Sequence, residues 1–414
     1  MIYVCDSIMG SGKTSAAINF MNEHPEMKFF YVTPYLSEVE RIKQSCPKLH
    51  FTAPSDKMKQ SKFSKVNHVT QLIEVGRNVV TTHQALKMLP KEVAQSIRGQ
   101  GYTLVLDECI QVMEEIGVSN DDFMILEDSG LVRKDSNGEY IRTDKPYGNG
   151  MFSSFMRNFE VADMFSLGNM GVYFWFINRE IFTAFKNVLI MTYMLKGQPL
   201  CYFLMANHYE WTNIGIQNRN GMFRFCEVAD ADTIDFTDVC RHLHIVDKSR
   251  LNNIGEDYYA LSMSWYQKNP EKVKRLKGHL RGFFEKVCDR DFRKNLWATY
   301  SSAVNTLKGK GYSKSHLAFN ARAMNDYSDR TYLAYTVNLF MNAAESAYFK
   351  SKGYPVDHDA YALSTMLQWI WRSAIRNGED VTLYLPSRRM RELLYQWMES
   401  VNGGVYFDEE TEAS

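Results

Sequence analysis

The sequence predicts an α/β protein whose parallel sheets carry polar residues at the carboxyl ends of their strands. Three observations lead to this fold class. An apolar run at residues 2–5 is followed by a glycine-rich turn and a helical pattern. A second apolar run, at residues 104–106, ends in two acidic residues, as a buried parallel strand often does. In the second half, strand-like runs alternate with long helical stretches, which favours a second parallel sheet.

The turn after the first strand reads SIMGSGKT at residues 7–14 and is typical of a phosphate-binding loop. Glycines at its centre let backbone N–H groups point at phosphate oxygens, and the positive end of the following helix dipole adds to this attraction. An ordinary Gly/Ser turn before a helix is the alternative. The predicted ATP-binding residues are Gly10, Ser11, Gly12, Lys13, Thr14 and Ser15.

Four side chains of these two motifs suit nucleotide hydrolysis. Lys13 can reach the β- and γ-phosphates, and the Thr14 hydroxyl can ligate Mg²⁺. Asp107 is predicted to hold the same Mg²⁺, directly or through water, and Glu108 to orient and deprotonate the attacking water. Taken alone, an apolar run ending in Asp-Glu is a common strand-to-loop transition. Downstream of a phosphate-binding loop it indicates an ATP hydrolase.

These two motifs resemble motifs I and II of superfamily 2 helicases, the DEAD/DEAH-like group. Ser7 stands where the usual loop pattern has glycine, and Cys109 and Ile110 depart from a strict DEAD or DEAH box. The resemblance implies two RecA-like domains, 1–205 and 206–414, that serve one ATP site, with an insertion at about 117–186 in the first. It also implies ATP and Mg²⁺ as cofactors and nucleic acid as partner, with DNA favoured over RNA.

Other strand ends of the first half resemble further motifs of this superfamily. Residues 29–34 are similar to motif Ia, residues 78–83 to the next strand of that domain, and residues 188–193 occupy the place of motif III. Plain sheet core is the alternative for each strand taken singly. The resemblance implies coupling between nucleotide and nucleic acid at Thr192 and nucleic-acid contacts from Thr33, Pro34, Thr81, Thr82 and His83.

Two segments of the second half resemble motifs V and VI. In the first, residues 317–326, the resemblance implies a nucleic-acid contact from Arg322 and coupling through Asn325. In the second, Gln368 and Arg372 lie four residues apart, as do Arg372 and Arg376, so each pair shares a helix face. A planar, permanent charge can stabilise the transferred γ-phosphoryl group, so we predict catalytic roles for Arg372 and Arg376. The resemblance implies a catalytic role for Gln368 as well. The alternative is a helix whose tryptophans pack while its arginines are solvated.

A basic stretch at residues 267–294 is the best local candidate for a nucleic-acid-binding surface, with Lys274, Arg275 and Lys277 at its centre. A solvated helix with its aromatic side turned inward is the alternative. Within the insertion, residues 131–141 predict a hairpin around an Asn-Gly turn, either a strand-separating wedge or a surface decoration. The predicted strands of the second half are residues 223–228, 243–246, 296–300, 317–319, 333–339 and 381–385.

Composition narrows the class of protein. The formal net charge is zero over 414 residues, so any nucleic-acid surface must be local. Seven scattered cysteines without a CxxC pair argue against a disulfide framework or a zinc site and indicate a reducing cytoplasm. The apolar runs are too short to span a bilayer. We therefore expect a cytoplasmic protein without a membrane partner, in the host cytoplasm if the source is a bacteriophage.

The sequence thus predicts an ATP-dependent helicase or translocase, of the compact kind found in bacteriophage replication or recombination modules. One alternative is an ATPase that remodels protein–nucleic acid complexes without separating strands. Another is a different P-loop enzyme, such as a packaging motor or a small-molecule kinase. A kinase would not need a second α/β half with a Gln/Arg helix. A packaging motor normally adds a nuclease domain with clustered carboxylates, and the sequence has no such cluster.

Overall fold

The structure is a computed structural model and describes residues 1–34, 36–55, 64–136, 138–148, 150–167, 171–234, 236–286, 288, 291–321 and 327–402. The chain forms two compact units. The first contains Met1–Asp232 and Asn342–Val356, and the second contains Thr233–Met341 and Asp357–Ser414. None of the helices in these described ranges is both long enough and apolar enough to cross a membrane.

Strands and helices alternate through most of the first unit. Its strands are β1 (Ile2–Asp6), β2 (Phe29–Thr33), β3 (Val79–Thr82), β4 (Thr103–Asp107), β5 (Met113–Ile116), β6 (Val132–Lys134), β7 (Glu139–Arg142), β8 (Ala162–Ser166), β9 (Tyr173–Ile177), β10 (Asn187–Thr192), β11 (Trp211–Asn213), β12 (Gly215–Arg219) and β13 (Met222–Cys226). Its helices up to residue 206 are α1 (Lys13–Glu23), α2 (Leu36–Ser45), α3 (Ser64–Glu74), α4 (His83–Lys87), α5 (Val93–Gln100), α6 (Asn120–Asp128), α7 (Ser153–Asn158), α8 (Arg179–Ala184) and α9 (Pro199–Ala206).

The centre of this unit is a parallel sheet in the order β11-β1-β10-β4-β2-β3. Strands β2 and β4 are buried along their whole length, as parallel strands covered on both faces are. Helix α1 packs onto the sheet through Ala16, Ala17 and Met21. Because all strands run the same way, the polar residues that end β1, β2, β4 and β10 lie at one edge of the sheet.

The predicted insertion forms a separate antiparallel sheet in the order β5-β9-β8-β7-β6. The predicted hairpin is present: β6 and β7 pair from Val132–Arg142 to Lys134–Tyr140. Tyr140 packs inward against Phe123 with ring centroids 4.7 Å apart, in a core of the insertion's own residues. The hairpin is therefore an edge of a packed sheet with its own hydrophobic core.

The second unit contains a parallel sheet in the order β14-β17-β16-β15. Its strands are β14 (Leu243–Ile245), β15 (Asn295–Ala298), β16 (Tyr332–Tyr335) and β17 (Val381–Tyr384). The helices after residue 236 are α10 (Thr237–His242), α11 (Ser249–Asn252), α12 (Met263–Lys268), α13 (Pro270–Lys286), α14 (Val304–Leu307), α15 (Ala343–Ser351), α16 (His358–Ile370) and α17 (Arg388–Asn402). The predicted fold class, α/β with two RecA-like or Rossmann-like domains, is confirmed.

Two predicted strands of the second half differ from the structure. Residues 223–228 do not join the second sheet, since β13 pairs antiparallel with β12 and packs on α1 in the first unit. Residues 317–319 form no strand; only His316 makes an isolated bridge, to Trp297. In both places a short apolar run was compatible with several partners, and tertiary packing decided between them.

The division into units also differs from the predicted boundary at 205/206. Residues 206–232 lie in the first unit because β11 extends its central sheet beside β1. Helix α15 lies there as well, because Tyr348 packs on Phe165, Phe174 and Phe176 of the insertion sheet, with ring centroids 4.8–6.1 Å apart.

Candidate nucleotide-binding site

The phosphate-binding loop, residues 7–14, has the backbone that its glycines predict. Gly10 and Gly12 have φ of 82° and 91°, in the left-handed region that side chains disfavour. Gly12 is the N-cap of α1, so the free N–H groups of the first helical turn adjoin the loop. The Ser11 hydroxyl is buried and has no hydrogen-bond partner within the described part of the chain. The loop can therefore offer several donors to a phosphate group.

The Lys13 ammonium group lies inside this loop. Its Nζ donates hydrogen bonds to the carbonyl oxygens of Ser7, at 2.5 Å, and Ile8, at 2.7 Å. Burial lowers the pKa of Lys13, while the nearby acidic groups, Glu108 foremost, act in the opposite direction. A bound triphosphate would supply negative charge to this half-buried cation.

Asp107 ends β4 as a buried carboxyl group held from two sides. Tyr31, fully buried on β2, donates its hydroxyl hydrogen bond to Oδ2 of Asp107 at 2.9 Å. His83 Nε2 donates to the backbone oxygen of Asp107 at 3.0 Å. Burial, reinforced by the charge of Glu108, raises the pKa of Asp107 to about 7. A nearby cation would stabilise the charged form of a carboxyl group in such a site.

The available ligands fit a Mg²⁺ ion. Asp107 and Thr14 offer carboxylate and hydroxyl oxygens, which are the ligand types that this ion prefers. Burial and the neighbouring Glu108 raise the pKa of Asp107, and a divalent cation beside it would favour the charged form.

Glu108 has a backbone φ of 70°, which is uncommon for a residue other than glycine and costs conformational energy. Its N–H donates to the backbone oxygen of Met191 on β10 at 3.0 Å. The next residue, Cys109, donates its thiol hydrogen bond to Oγ1 of Thr192 at 3.1 Å. The acidic motif is thus tied to the end of β10, where the sequence predicts the coupling residue Thr192.

Asp6 also belongs to this site, although the sequence analysis did not single it out. Its carboxylate accepts hydrogen bonds from the N–H groups of Met194, at 2.6 Å, and Leu195, at 2.9 Å. The Ser7 N–H also donates to the backbone oxygen of Thr192, at 2.9 Å. Asp6 therefore fixes the turn after β10 beside the phosphate-binding loop. An acidic residue ending the strand before that loop was the available signal.

The predicted nucleic-acid contacts of the first unit differ in exposure. Thr33, Thr81 and His83 are buried, and His83 faces the backbone of Asp107. Pro34 and Thr82 are half-buried. Of this set, Pro34 and Thr82 are therefore the ones whose surfaces reach solvent.

The motif VI-like segment combines packed tryptophans with a buried arginine. Trp369 and Trp371 are both buried, and Trp371 lies against Trp397 with ring centroids 6.0 Å apart. Arg372 follows the end of α16 and is only 8% exposed. Its Nε and one terminal nitrogen are buried without a hydrogen-bond partner among the described residues.

The two other predicted residues of this segment have different environments. Gln368 is half-buried on α16, and Arg376 is exposed in the 3-10 turn Ala374–Asn377. Of these two arginines, Arg372 is therefore the one with buried nitrogens that lack a hydrogen-bond partner among the described residues.

The basic helix α13 buries its apolar side and exposes its charged side. Val273, Leu276 and Phe283 are among its buried residues. Lys274, Arg275 and Lys277 are all exposed, and Lys274 pairs with Glu271 at 2.8 Å. Arg322 and Asn325, the predicted residues of the motif V-like segment, lie outside the described residues.

The chain was compared with known proteins. The SPbeta prophage-derived uncharacterized protein YonV of Bacillus subtilis (strain 168) is 36% identical over 407 residues, which cover 96% of this chain and 99% of that protein. The chain belongs to the YonV family. Residues 237–398 match the YonV C-terminal Rossmann-like domain, which lies within the second unit apart from α15 and its flanking residues.

Solved structures show which fold this member of the YonV family shares. An apo structure of XPD aligns with a TM-score of 0.51 at 11% identity, covering 97% of this chain and 95% of that one. Xpd4 of S. tokodaii aligns with a TM-score of 0.50 at 11% identity, covering 98% and 94%. The YonV-family chain therefore shares its overall fold with XPD proteins.

Proposed function

We propose that the protein is an ATP-dependent helicase or translocase that acts on nucleic acid, with DNA as the preferred substrate. Its two RecA-like domains would couple ATP hydrolysis to strand movement or unwinding. The observation that carries the proposal is the convergence of Lys13, Asp107 and Glu108 at one edge of a parallel sheet, beside a phosphate-binding loop. The likeness to a prophage-derived protein supports a bacteriophage or prophage source. A role in DNA replication or recombination in the host cytoplasm is part of the proposal.

In the proposed mechanism, Gly10–Ser15 bind the triphosphate through backbone N–H groups and Lys13 contacts its β- and γ-phosphates. Thr14 and Asp107 would hold Mg²⁺, which when bound supplies positive charge to the same phosphates. Glu108 accepts a proton from the attacking water and aligns it with the γ-phosphorus. The reaction then depends mainly on positioning and electrostatic stabilisation.

Arg372 is proposed to stabilise negative charge on the γ-phosphoryl group during transfer. Two of its buried nitrogens have no hydrogen-bond partner among the described residues, which supports this role, because a desolvated guanidinium is costly unless an anion pairs with it for part of the cycle. Cys109 and Thr192 are proposed to transmit the state of the nucleotide from the acidic motif to the end of β10.

The proposal is tested with the purified protein in two assays. ATP hydrolysis is measured with and without single- and double-stranded DNA and RNA, and strand displacement is measured on forked, tailed and blunt duplexes. A helicase shows stimulated hydrolysis and ATP-dependent displacement. Stimulation without displacement on any duplex would instead support an ATPase that moves along or remodels nucleic-acid complexes.

Neutralising the exposed side of α13 is expected to weaken nucleic-acid binding. The triple variant Lys274→Gln, Arg275→Gln, Lys277→Gln removes three positive charges and should raise Kd. The slope of log Kd against log salt concentration should become smaller by about 2 to 3. Fluorescence anisotropy across a salt series measures both quantities. A matched control replaces the exposed Lys308, Lys310 and Lys314 of the same unit by glutamine. Equal affinity losses in the two triple variants would contradict a specific role for α13.

Removing the Tyr31 hydroxyl is expected to weaken Mg²⁺ binding, because the hydroxyl fixes the Asp107 carboxylate. Loss of such an outer contact typically costs about 10–100-fold in metal affinity. Tyr31→Phe should therefore raise the Mg²⁺ concentration needed for half-maximal hydrolysis by about tenfold, and Mn²⁺ binding followed by EPR should weaken in parallel. The control is Tyr102→Phe, which removes the hydroxyl of another buried tyrosine, one that donates to the Arg77 backbone oxygen in the same unit. The same metal dependence in both variants would contradict the assignment.

A further inference from the structure

We infer that Phe223 on β13 is the platform on which the base of the bound nucleotide stacks, and that this stacking makes purine nucleoside triphosphates the preferred substrates. The inference rests on the proposed function, because it assumes that phosphates bind in the loop at residues 7–14. It assigns a base-binding role to a hairpin that lies about two hundred residues away from that loop in the sequence.

The hairpin is fixed against the helix that follows the phosphate-binding loop. Asn19 of α1 donates from Nδ2 to the backbone oxygen of Phe223 at 2.9 Å. One turn further along α1, Glu23 pairs with Arg224 at 2.6 Å. The preceding strand, β11, is anchored in the central sheet by parallel pairing with β1. Strand β13 therefore has a defined position along α1.

The Phe223 ring reaches the phosphate-binding loop itself. A Cβ atom on Gly12 would lie 2.2 Å from Cδ1 and 2.4 Å from Cε1 of this ring, so the ring packs directly on the Gly12 backbone. Any side chain at position 12 would displace the ring. Glycine is therefore required at position 12 for two reasons: its φ is 91°, and the aromatic ring approaches its backbone closely.

The two phenylalanines of β13 have different surroundings. Phe223 and Phe225 are two residues apart and so project to the same face of the strand. Phe225 has an aromatic neighbour, Phe20, with ring centroids 6.4 Å apart. Phe223 is half-buried and makes no ring–ring contact with any described residue. Both rings pack against the same core cluster of the first unit and both are half-buried. Phe225 thus anchors the strand, and the exposed part of the Phe223 ring lies beside the phosphate-binding loop.

The chemistry of the ligand follows from this arrangement. In a nucleoside triphosphate the base is joined to the phosphates only through the ribose, so it must lie close to the residues that hold the phosphates. An aromatic ring stacks on any base, and purines present the larger surface. We therefore expect ATP and GTP to be used with similar efficiency and both to be preferred over CTP.

The experiment compares ligands with and without a base. In Phe223→Ala, the KM for ATP should rise about tenfold while kcat changes little, because stacking of one base is typically worth about one order of magnitude in affinity. Inorganic tripolyphosphate, which has no base, should inhibit the wild type and the variant with the same Ki. Phe223→Trp should restore the ATP KM. The control Phe225→Leu should leave the ratio of the ATP KM to the tripolyphosphate Ki unchanged.

Direct binding separates this inference from the proposed function. In Phe223→Trp, ATP should quench tryptophan emission more than it does in the wild type. Tripolyphosphate should cause no such additional quenching. If the wild type hydrolyses ATP but Phe223→Ala keeps the wild-type KM, the inference fails and the proposed function stands. If Phe223→Ala changes the ATP KM and the tripolyphosphate Ki in parallel, the inference also fails, since such changes would mean that the substitution distorts the phosphate-binding loop. If the wild type neither binds nor hydrolyses nucleotides, both fail.

Discussion

The variant Glu108→Gln is expected to bind ATP and to be almost unable to hydrolyse it. Glutamine keeps the size of the side chain and its hydrogen-bonding reach but cannot accept the proton of the attacking water. Loss of a positioned general base costs about 10²–10⁴-fold in rate. Because the Glu108 backbone is held at a φ of 70° by its contact with Met191, the substitution should leave the loop geometry intact. Single-turnover hydrolysis and binding of a fluorescent ATP analogue separate chemistry from affinity.

Two companion variants sharpen this test. Lys13→Ala should lose both binding and turnover, because the Lys13 ammonium group is the cation that lies inside the phosphate-binding loop. Glu92→Gln makes the same chemical change at an exposed position of the first unit and should match the wild type. Full hydrolytic activity in Glu108→Gln or in Lys13→Ala would contradict the assignment of the site.

Loss of the Arg372 guanidinium is expected to slow hydrolysis by about 10³-fold or more without preventing ATP binding, as removal of an arginine finger does. The preferred variant is Arg372→Met, which fills the buried space without the charge. Because two buried nitrogens of Arg372 lack partners among the described residues, removing the cation should leave the thermal midpoint of the nucleotide-free protein unchanged or raise it. Slower hydrolysis together with undiminished stability is the signature of a residue kept for function.

The reading of Arg372 as a structural residue predicts the opposite pair of results. Arg372→Met would then lower the thermal midpoint and leave kcat unchanged. Arg372→Lys gives a third comparison, because it keeps a positive charge but not the planar fork of donors. It should recover only part of the rate lost in Arg372→Met.

The sequence predicted those parts of the fold and site that depend on local chemistry. Gly10, Gly12 and Lys13 belong to a contiguous motif whose backbone requirement is local, and the structure shows that backbone. The hairpin of β6 and β7 follows from turn residues between two short strands. Strand direction then accounts for the approach of Asp107 to the loop, since parallel strands end at the same edge.

Other features depend on contacts between distant segments and could not be predicted in this way. Two contacts of the site depend on the order of strands in the sheet, which the sequence alone does not specify. They are the hydrogen bond of Tyr31 to Asp107 and those of Asp6 to the turn after β10. The short run around Phe223 was compatible with either sheet, and α15 carries no signal that assigns it to the insertion. For such elements, burial against a particular partner decides the outcome rather than local propensity.

The central claim is that nucleic acid controls ATP hydrolysis at the Lys13, Asp107 and Glu108 site. The most direct test is the steady-state rate of ATP hydrolysis by the wild-type protein in Mg²⁺, measured without nucleic acid and then with saturating single-stranded DNA. We expect a basal rate that DNA increases several-fold and that Glu108→Gln abolishes under both conditions. A rate that neither DNA nor RNA changes, or that persists in Glu108→Gln, would contradict it.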